Sequence, residues 1–231
     1  MSHIAERMQA VRERIAAAAR TSGRQPDEVR LLVVSKTFPE TKIALAVAAG
    51  QTAFGENYVQ EALAKIESLR HLGKIEWHLI GPLQSNKTAA VAANFAWVHS
   101  VDREKIAARL SAARSGTALP LSVCVQVNIS GEATKSGVAP GDAVALAASV
   151  AAMPGLRLRG LMGIAEPGPQ AGIPRQQFRL LRSLRDEVRG RGIELDTLSM
   201  GMSADLEAAI AEGSTMVRIG SAIFGERPRP D

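Results

Sequence analysis

The chain has 231 residues, 46% of them hydrophobic, with 28 Lys and Arg against 23 Asp and Glu. This is enough for one sizeable core, and the net charge of +5 is a mild basic bias that suits phosphate-bearing partners. The single cysteine, Cys124, excludes an internal disulfide and any zinc site that needs two thiolates, which fits a reducing compartment.

The opening "MSHIAERMQAVRERIAAAARTSG" lacks the apolar core of a signal peptide, and no stretch approaches the roughly 18 apolar residues of a membrane span. The expected setting is therefore cytoplasmic and soluble. Within residues 1–22, Ile4, Met8, Val11 and Ile15 recur at helical spacing and predict an amphipathic helix. It would be either a lid over the bottom of the fold or an extra outer helix.

From residue 31 onward, eight short β-type runs alternate with longer runs of helical period. The predicted strands are 31–36, 52–55, 75–80, 96–100, 121–129, 157–163, 194–199 and 216–220. The predicted helices are 40–49, 57–70, 85–93, 103–115, 140–152, 173–190 and 204–212. Asp102 and Pro140 read as helix starts, and Gly50, Gly190 and Gly213 as helix ends. The Pro- and Gly-rich "AEPGPQAGIP", 165–174, reads as the longest loop.

Eight βα units in one uninterrupted chain predict an α/β fold of (β/α)8 TIM-barrel type. It would form a single domain over 1–231, with the barrel at 30–226. A doubly wound sheet is the alternative, but its first turn is normally glycine-rich, and here that turn reads "SKTFPE". In "PRQQFRLLRSLRDEVRGRG", Arg175, Arg179, Arg182 and Arg189 share one helix face, opposite Phe178, Leu181, Leu184 and Val188. With only eight aromatic residues in the chain, this reads as a solvated outer face and argues against a nucleic-acid surface.

A barrel places its chemistry at the C-terminal ends of its strands, and here those ends are polar. Strand one ends in Ser35-Lys36, strand two leads into Glu56-Asn57, strand three carries His78 and strand four His99. Strands seven and eight lead into "SMGMSADLEAAI" and "RIGSAIFGER". The loops after strands seven and eight of a barrel often form a phosphate site, because unpaired amides and a helix dipole both favour a dianion. Gly201 permits close backbone approach, Ser203 is placed to cap the next helix, and Gly220-Ser221 supplies a second exposed turn.

Lys36 has two readings. It either marks where a buried strand meets water, or it is an amine that forms an imine with an aldehyde. An amine at one wall and an anion cradle at the other would suit a small aldehyde bearing a phosphate, and pyridoxal phosphate has that shape.

The motifs "VVSKTFP", "FGENYVQEA", "WHLIGPLQSNK", "QVNISGEATKSGV", "LRGLMGIAEP" and "LSMGMSADLEAAIAEGSTMVRIGSAIFG" occur in this order. Together they resemble the pyridoxal phosphate homeostasis protein family, from residue 30 to 226. The resemblance implies an alanine-racemase-type barrel with pyridoxal 5'-phosphate (PLP) as cofactor. It further implies that Lys36 is the Schiff-base lysine and that Arg218 faces the pyridine nitrogen. Ser199, Met200, Ser203, Gly220 and Ser221 would hold the phosphate, and Asn57 would line the pocket.

Taken alone, "MVRIG" would equally suit an Arg218 in a buried ion pair. Beside a pyridine nitrogen, a guanidinium disfavours ring protonation, so the cofactor would be held but poorly activated.

Racemisation needs a proton-transferring group on each face of the imine, and Lys36 serves one. Related barrel racemases take the second, a tyrosine, from a further domain, and the sole tyrosine here, Tyr58, reads as a packing or pocket-wall residue. The expectation is a non-catalytic PLP carrier or regulator that stores, buffers or delivers the cofactor. The alternative is a minimal PLP-dependent amino-acid racemase, and a weaker third reading is a barrel enzyme that forms a lysine imine with a sugar phosphate.

The partners implied are PLP, related B6 vitamers and PLP-dependent apoenzymes, with the protein itself a monomer and no nucleic acid or membrane among them. His3, His71, His78 and His99 are scattered without ligand spacing, so no metal is expected. His78 reads as a satisfied wall histidine.

Overall fold

The computed structural model describes residues 3–116, 119–132, 134–166 and 172–226. Eight parallel strands close into a barrel in strict sequence order. They are β1 (Arg30–Val34), β2 (Ala53–Glu56), β3 (Glu76–Leu79), β4 (Trp97–Val101), β5 (Leu121–Val127), β6 (Leu156–Gly163), β7 (Thr197–Ser199) and β8 (Met216–Ile219). The barrel closes where β1 pairs with β8, Leu32 opposite Arg218 and Val33 opposite Ile219.

The outer layer contains α1 (His3–Thr21), α2 (Glu40–Ala48), α3 (Val59–Ser68), α4 (Thr88–Asn94), α5 (Glu104–Arg114), α6 (Pro140–Ala151), α7 (Gly172–Gly190), α8 (Leu206–Ala211) and the four-residue α9 (Ser221–Phe224). Strand faces turned outward pack against the apolar stripes of these helices, which is why the strands read as nearly continuous hydrophobic runs. In α7, Phe178, Leu181, Leu184 and Val188 are buried, while Arg175 and Arg179 both reach Glu212.

The N-terminal segment is an outer helix rather than a bottom lid. Ile4, Met8, Val11 and Ile15 are buried, and α1 lies against α8, α9 and α2. A (β/α)8 barrel calls for a helix after its last strand, and among the described residues the short α9 follows β8. Helix α1 closes the outer ring between α8 and α2.

Several boundaries differ from the predicted ones. β1 stops at Val34 because Ser35 begins a turn, with Phe38 N–H donating to Ser35 O and Thr37 at φ 67°. β5 stops at Val127, since Ile129 N–H turns back to Val127 O. The residue flanking α5 is Arg103, whose guanidinium ties back to Asp102, and the one flanking α8 is Asp205 rather than Ser203. The positive-φ glycine beyond α7 is Gly192, at 81°, whereas Gly190 is still helical. Of the predicted 165–174 loop, residues 167–171 lie outside the described residues.

Inside the barrel, apolar packing is split into two small clusters. Leu32, Ala53 and Met216 form one, and Trp97, Cys124 and Met162 form the other. Polar side chains run between them.

Candidate functional site

Lys36 lies two residues beyond the end of β1, half-buried, between two residues whose backbone is held. Ser35 N–H donates to Gly55 O at 3.0 Å and Ser35 Oγ donates to Glu56 Oε1 at 2.6 Å. Lys65, rising from α3, donates to Ser35 O and Glu56 Oε1, both at 2.8 Å, and to Glu61 Oε1 at 2.5 Å. Glu61 Oε1 in turn accepts the Thr37 N–H at 2.6 Å. A β-branched residue in the left-handed region is strained by roughly 1–3 kcal/mol, and this bond holds Thr37 there.

Glu56 and Lys65 are both buried, and Glu56 Oε2 has no partner among the described residues. Burial raises the Glu56 pKa, against the pull of the Lys65 and Ser35 hydrogen bonds. Lys65 and Glu61 were not anticipated from the sequence. Their i, i+4 spacing in "QEALAKIE" is the only signal, and it reads equally well as a surface pair.

The loops after β7 and β8 lie on the same rim. Arg218 N–H donates to Gly201 O at 2.9 Å, and Gly201 has φ 98°. Gly220 packs so tightly on β1 that an added Cβ would lie 2.9 Å from Val34 O, two residues before Lys36. Phe224 of α9 packs its ring at a tilt against Phe38, centroids 4.9 Å apart, which ties the eighth loop to the loop carrying Lys36. Ser203 is half-buried in the turn before α8. Its carbonyl accepts from Arg14 of α1 at 2.8 Å, and Arg14 also grips Glu207. Ser221 is exposed and Gly220 half-buried.

Ser199 and Met200 are arranged otherwise than as phosphate contacts. Both are wholly buried, and Met200 has its N–H on Met216 O and its carbonyl on Ser214 Oγ. The Ser199 hydroxyl lies between Arg218 Nη1 and His99 Nδ1, each at 2.8 Å. They support the rim from beneath rather than line it.

Arg218 points into the barrel, 5% exposed. Nη1 donates to Ser199 O and Oγ, and Nη2 donates to Gly163 O at 2.9 Å. All three acceptors are neutral, so the buried ion pair is not what the structure contains. Burial pushes the Arg218 pKa down to about 10, with the Asp205 carboxylate opposing the shift at longer range.

Two of the four histidines, His78 and His99, meet inside the barrel, whereas His3 and His71 lie apart from them. His99 Nε2 is 2.9 Å from His78 Nδ1, and His78 Nε2 is 2.7 Å from Glu76 Oε1. Since β4 and β7 are not neighbours, the bond from His99 to Ser199 crosses the barrel interior. Strand alternation was the available signal, because it puts Glu76 with His78, and Trp97 with His99, on one face of each strand.

Asn57 is half-buried and lines a cavity of about 160 Å³ at the mouth together with Gly81, Gln126, Asn128, Lys135 and Ser136. Tyr58, expected to pack or to line the pocket, is 57% exposed, since α3 starts immediately after it and turns its ring outward.

The alanine racemase N-terminal domain family matches residues 7–228. The pyridoxal phosphate homeostasis protein of Pseudomonas aeruginosa is 55% identical over 227 residues, covering 98% of this chain and 97% of that protein. That of Escherichia coli K12 is 52% identical over 232 residues, covering 98% of each. A solved structure of PipY from Synechococcus elongatus with PLP bound superposes with a TM-score of 0.83 at 36% identity, over 96% of this chain and all of that one. Fold, motif order and relatives converge: the chain belongs to the pyridoxal phosphate homeostasis protein family.

Proposed function

We propose that this protein binds pyridoxal 5'-phosphate in the mouth of its barrel and acts in intracellular PLP homeostasis by storing, buffering or delivering the cofactor without turnover. PLP supplies an aldehyde that condenses with an amine, a phosphate dianion and a pyridine nitrogen. The Lys36 amine would form the covalent C=N link, with loss of one water. Ser203, Gly220 and Ser221 would take the phosphate, and Asn57 would line the pocket.

The residues suit this group. Arg218 is a donor only and uses three of its five N–H groups on protein oxygens, so it fits an acceptor such as an unprotonated ring nitrogen. The observation that carries the reading is the convergence of three loops: the turn after β1 that carries Lys36, the turn after β7 and the glycine after β8 stand on neighbouring strands at one end of the barrel. The PLP-bound relative supports the choice of ligand.

Incubation with PLP, borohydride reduction and peptide mapping tests the reading. The label should fall on the peptide containing Lys36, and Lys36→Ala should lose the visible band while keeping measurable affinity through the phosphate. A label on another lysine, with the band intact in Lys36→Ala, overturns it. The absence of turnover is tested separately with single enantiomers of alanine, and loss of optical activity at catalytic protein concentrations would refute it. We further propose that the whole chain acts as one domain and as a monomer in the cytoplasm, handing PLP or related B6 vitamers to PLP-dependent apoenzymes. Among the described residues, no helix is long and apolar enough to cross a membrane.

A further inference from the structure

The polar path beneath Arg218 has a direction, which follows from counting donors. Arg218 only donates, so Ser199 Oγ accepts from it and keeps a single hydrogen to give. At the other end, Glu76 Oε1 lies 2.8 Å from Arg30 Nη2 and 2.7 Å from His78 Nε2. A carboxylate only accepts, so His78 carries its hydrogen on Nε2. A neutral imidazole has one N–H, so His78 Nδ1 accepts from His99 Nε2 at 2.9 Å, and His99 Nδ1 accepts from the Ser199 hydroxyl at 2.8 Å.

Each polar atom then has one role. The opposite polarity would set a bare His78 Nε2 lone pair against the Glu76 carboxylate. Burial keeps both imidazoles neutral: it pushes the His78 pKa down to about 4, against the Glu76 hydrogen bond, and that of His99 well below the usual range. The His78 hydrogen bond, in turn, holds the Glu76 pKa down at about 2.

A barrel interior is ordinarily filled with branched apolar side chains, and a buried polar path stabilises no better than such packing. What this path adds is orientation. A lone serine hydroxyl can swivel between donating and accepting, whereas here its hydrogen is claimed by His99 and its lone pair is left for the guanidinium. Aligned hydrogen bonds also reinforce one another, with every acceptor end turned toward Arg218.

We propose that His99 and His78 are positioning residues for Arg218: they fix the Ser199 hydroxyl as an acceptor and so pin the guanidinium as the donor set against the ring nitrogen of the cofactor. This rests on the reading above that Arg218 faces that nitrogen.

Nitrogen NMR of the four imidazoles in cofactor-free protein, assigned through His78 and His99 substitutions, tests the polarity. Both should be neutral and protonated at Nε2 from about pH 5 to 8. A hydrogen on Nδ1 of either overturns the proposal. With PLP added, His99→Leu should weaken binding about fivefold and shift the visible maximum in the same sense as Arg218→Leu. His99→Asn, whose side-chain oxygen can accept from Ser199, should recover most of both.

An unchanged spectrum and affinity in His99→Leu, with Arg218→Leu shifted, overturns the positioning role and leaves the Arg218 assignment standing. An unshifted Arg218→Leu overturns that assignment itself. Should His99→Leu fail to fold, Ser199→Ala removes the hydroxyl acceptor that His99 orients toward Arg218 and is read by the same spectrum, an unshifted maximum there overturning the positioning role.

Discussion

Two polar clusters stand behind the two residues assigned to the cofactor, and they are built oppositely. Behind Lys36, between barrel and helix layer, the cluster is ionic: Lys65 is clamped by Glu56 and Glu61, and the group being held is backbone on either side of Lys36. Behind Arg218, inside the barrel, the linking groups are neutral: Ser199, His99 and His78 each donate one hydrogen bond in the direction of Glu76. The first fixes where a loop runs, which takes strong short contacts and tolerates charge. The second fixes how a cationic side chain is oriented, which takes dipoles of one sense and no competing carboxylate within reach.

The largest effect should come from breaking the ionic cluster. Lys65→Met leaves Glu56 buried and unpaired and should lower stability by about 3–5 kcal/mol in urea unfolding. Adding Glu56→Leu should restore much of that stability but not the rate of borohydride-trapped labelling at Lys36. If labelling recovers along with stability, the cluster is merely structural.

Next, His78→Leu strands the inward donor of His99 and should lower stability by about 1–3 kcal/mol, again by urea unfolding. At saturating PLP the label should still fall on Lys36 while the visible maximum shifts, which separates the two clusters.

Acid should sharpen the contrast further. His78 takes up a proton near pH 6.5 when unfolded but only near about 4 when folded, so stability is full above pH 6.5 and falls as pH drops toward 4. Glu56, with its pKa raised on folding, works the other way: its contribution is full below about 4.5 and diminishes as pH rises through the folded value. Unfolding midpoints measured across this window should fall on acidification in the wild type and fall less steeply in His78→Leu, where the buried His99 still contributes. Retention of the full slope in that variant would show that the proton goes elsewhere.

The smallest effect belongs to Arg30→Gln. The Arg30–Glu76 bridge is partly exposed at both side chains and should contribute less than about 1 kcal/mol. The visible spectrum of bound PLP should not move.

The barrel was legible because eight short apolar β-type runs alternate with longer runs of helical period, and strand order follows once every connection is a right-handed βα unit. The positions of Lys36, Ser203 and Gly220 beyond β1, β7 and β8 were legible because a barrel's geometry assigns strand ends to its mouth. What could not be read was anything that depends on the far side of the barrel. His78 and His99 are 21 residues apart on adjacent strands, and Ser199 is another 100 residues on, so no local spacing announces their contact. Ser199 was assigned to the phosphate by resemblance, whereas its parity with Arg218 turns its hydroxyl inward. Tyr58 looked like packing because aromatics usually are buried, but it sits at the start of α3 with its ring in water.

The seam closed by α1 carries a consequence for how the molecule is made. During synthesis α1 emerges first, but α8 and α9, two of the surfaces that receive it, come from the last quarter of the chain. The earliest helix therefore waits as an apolar stripe until nearly the whole polypeptide has left the ribosome. Contacts this distant in sequence slow folding, and the interval before docking is when a nascent chain is most open to chaperones or to aggregation.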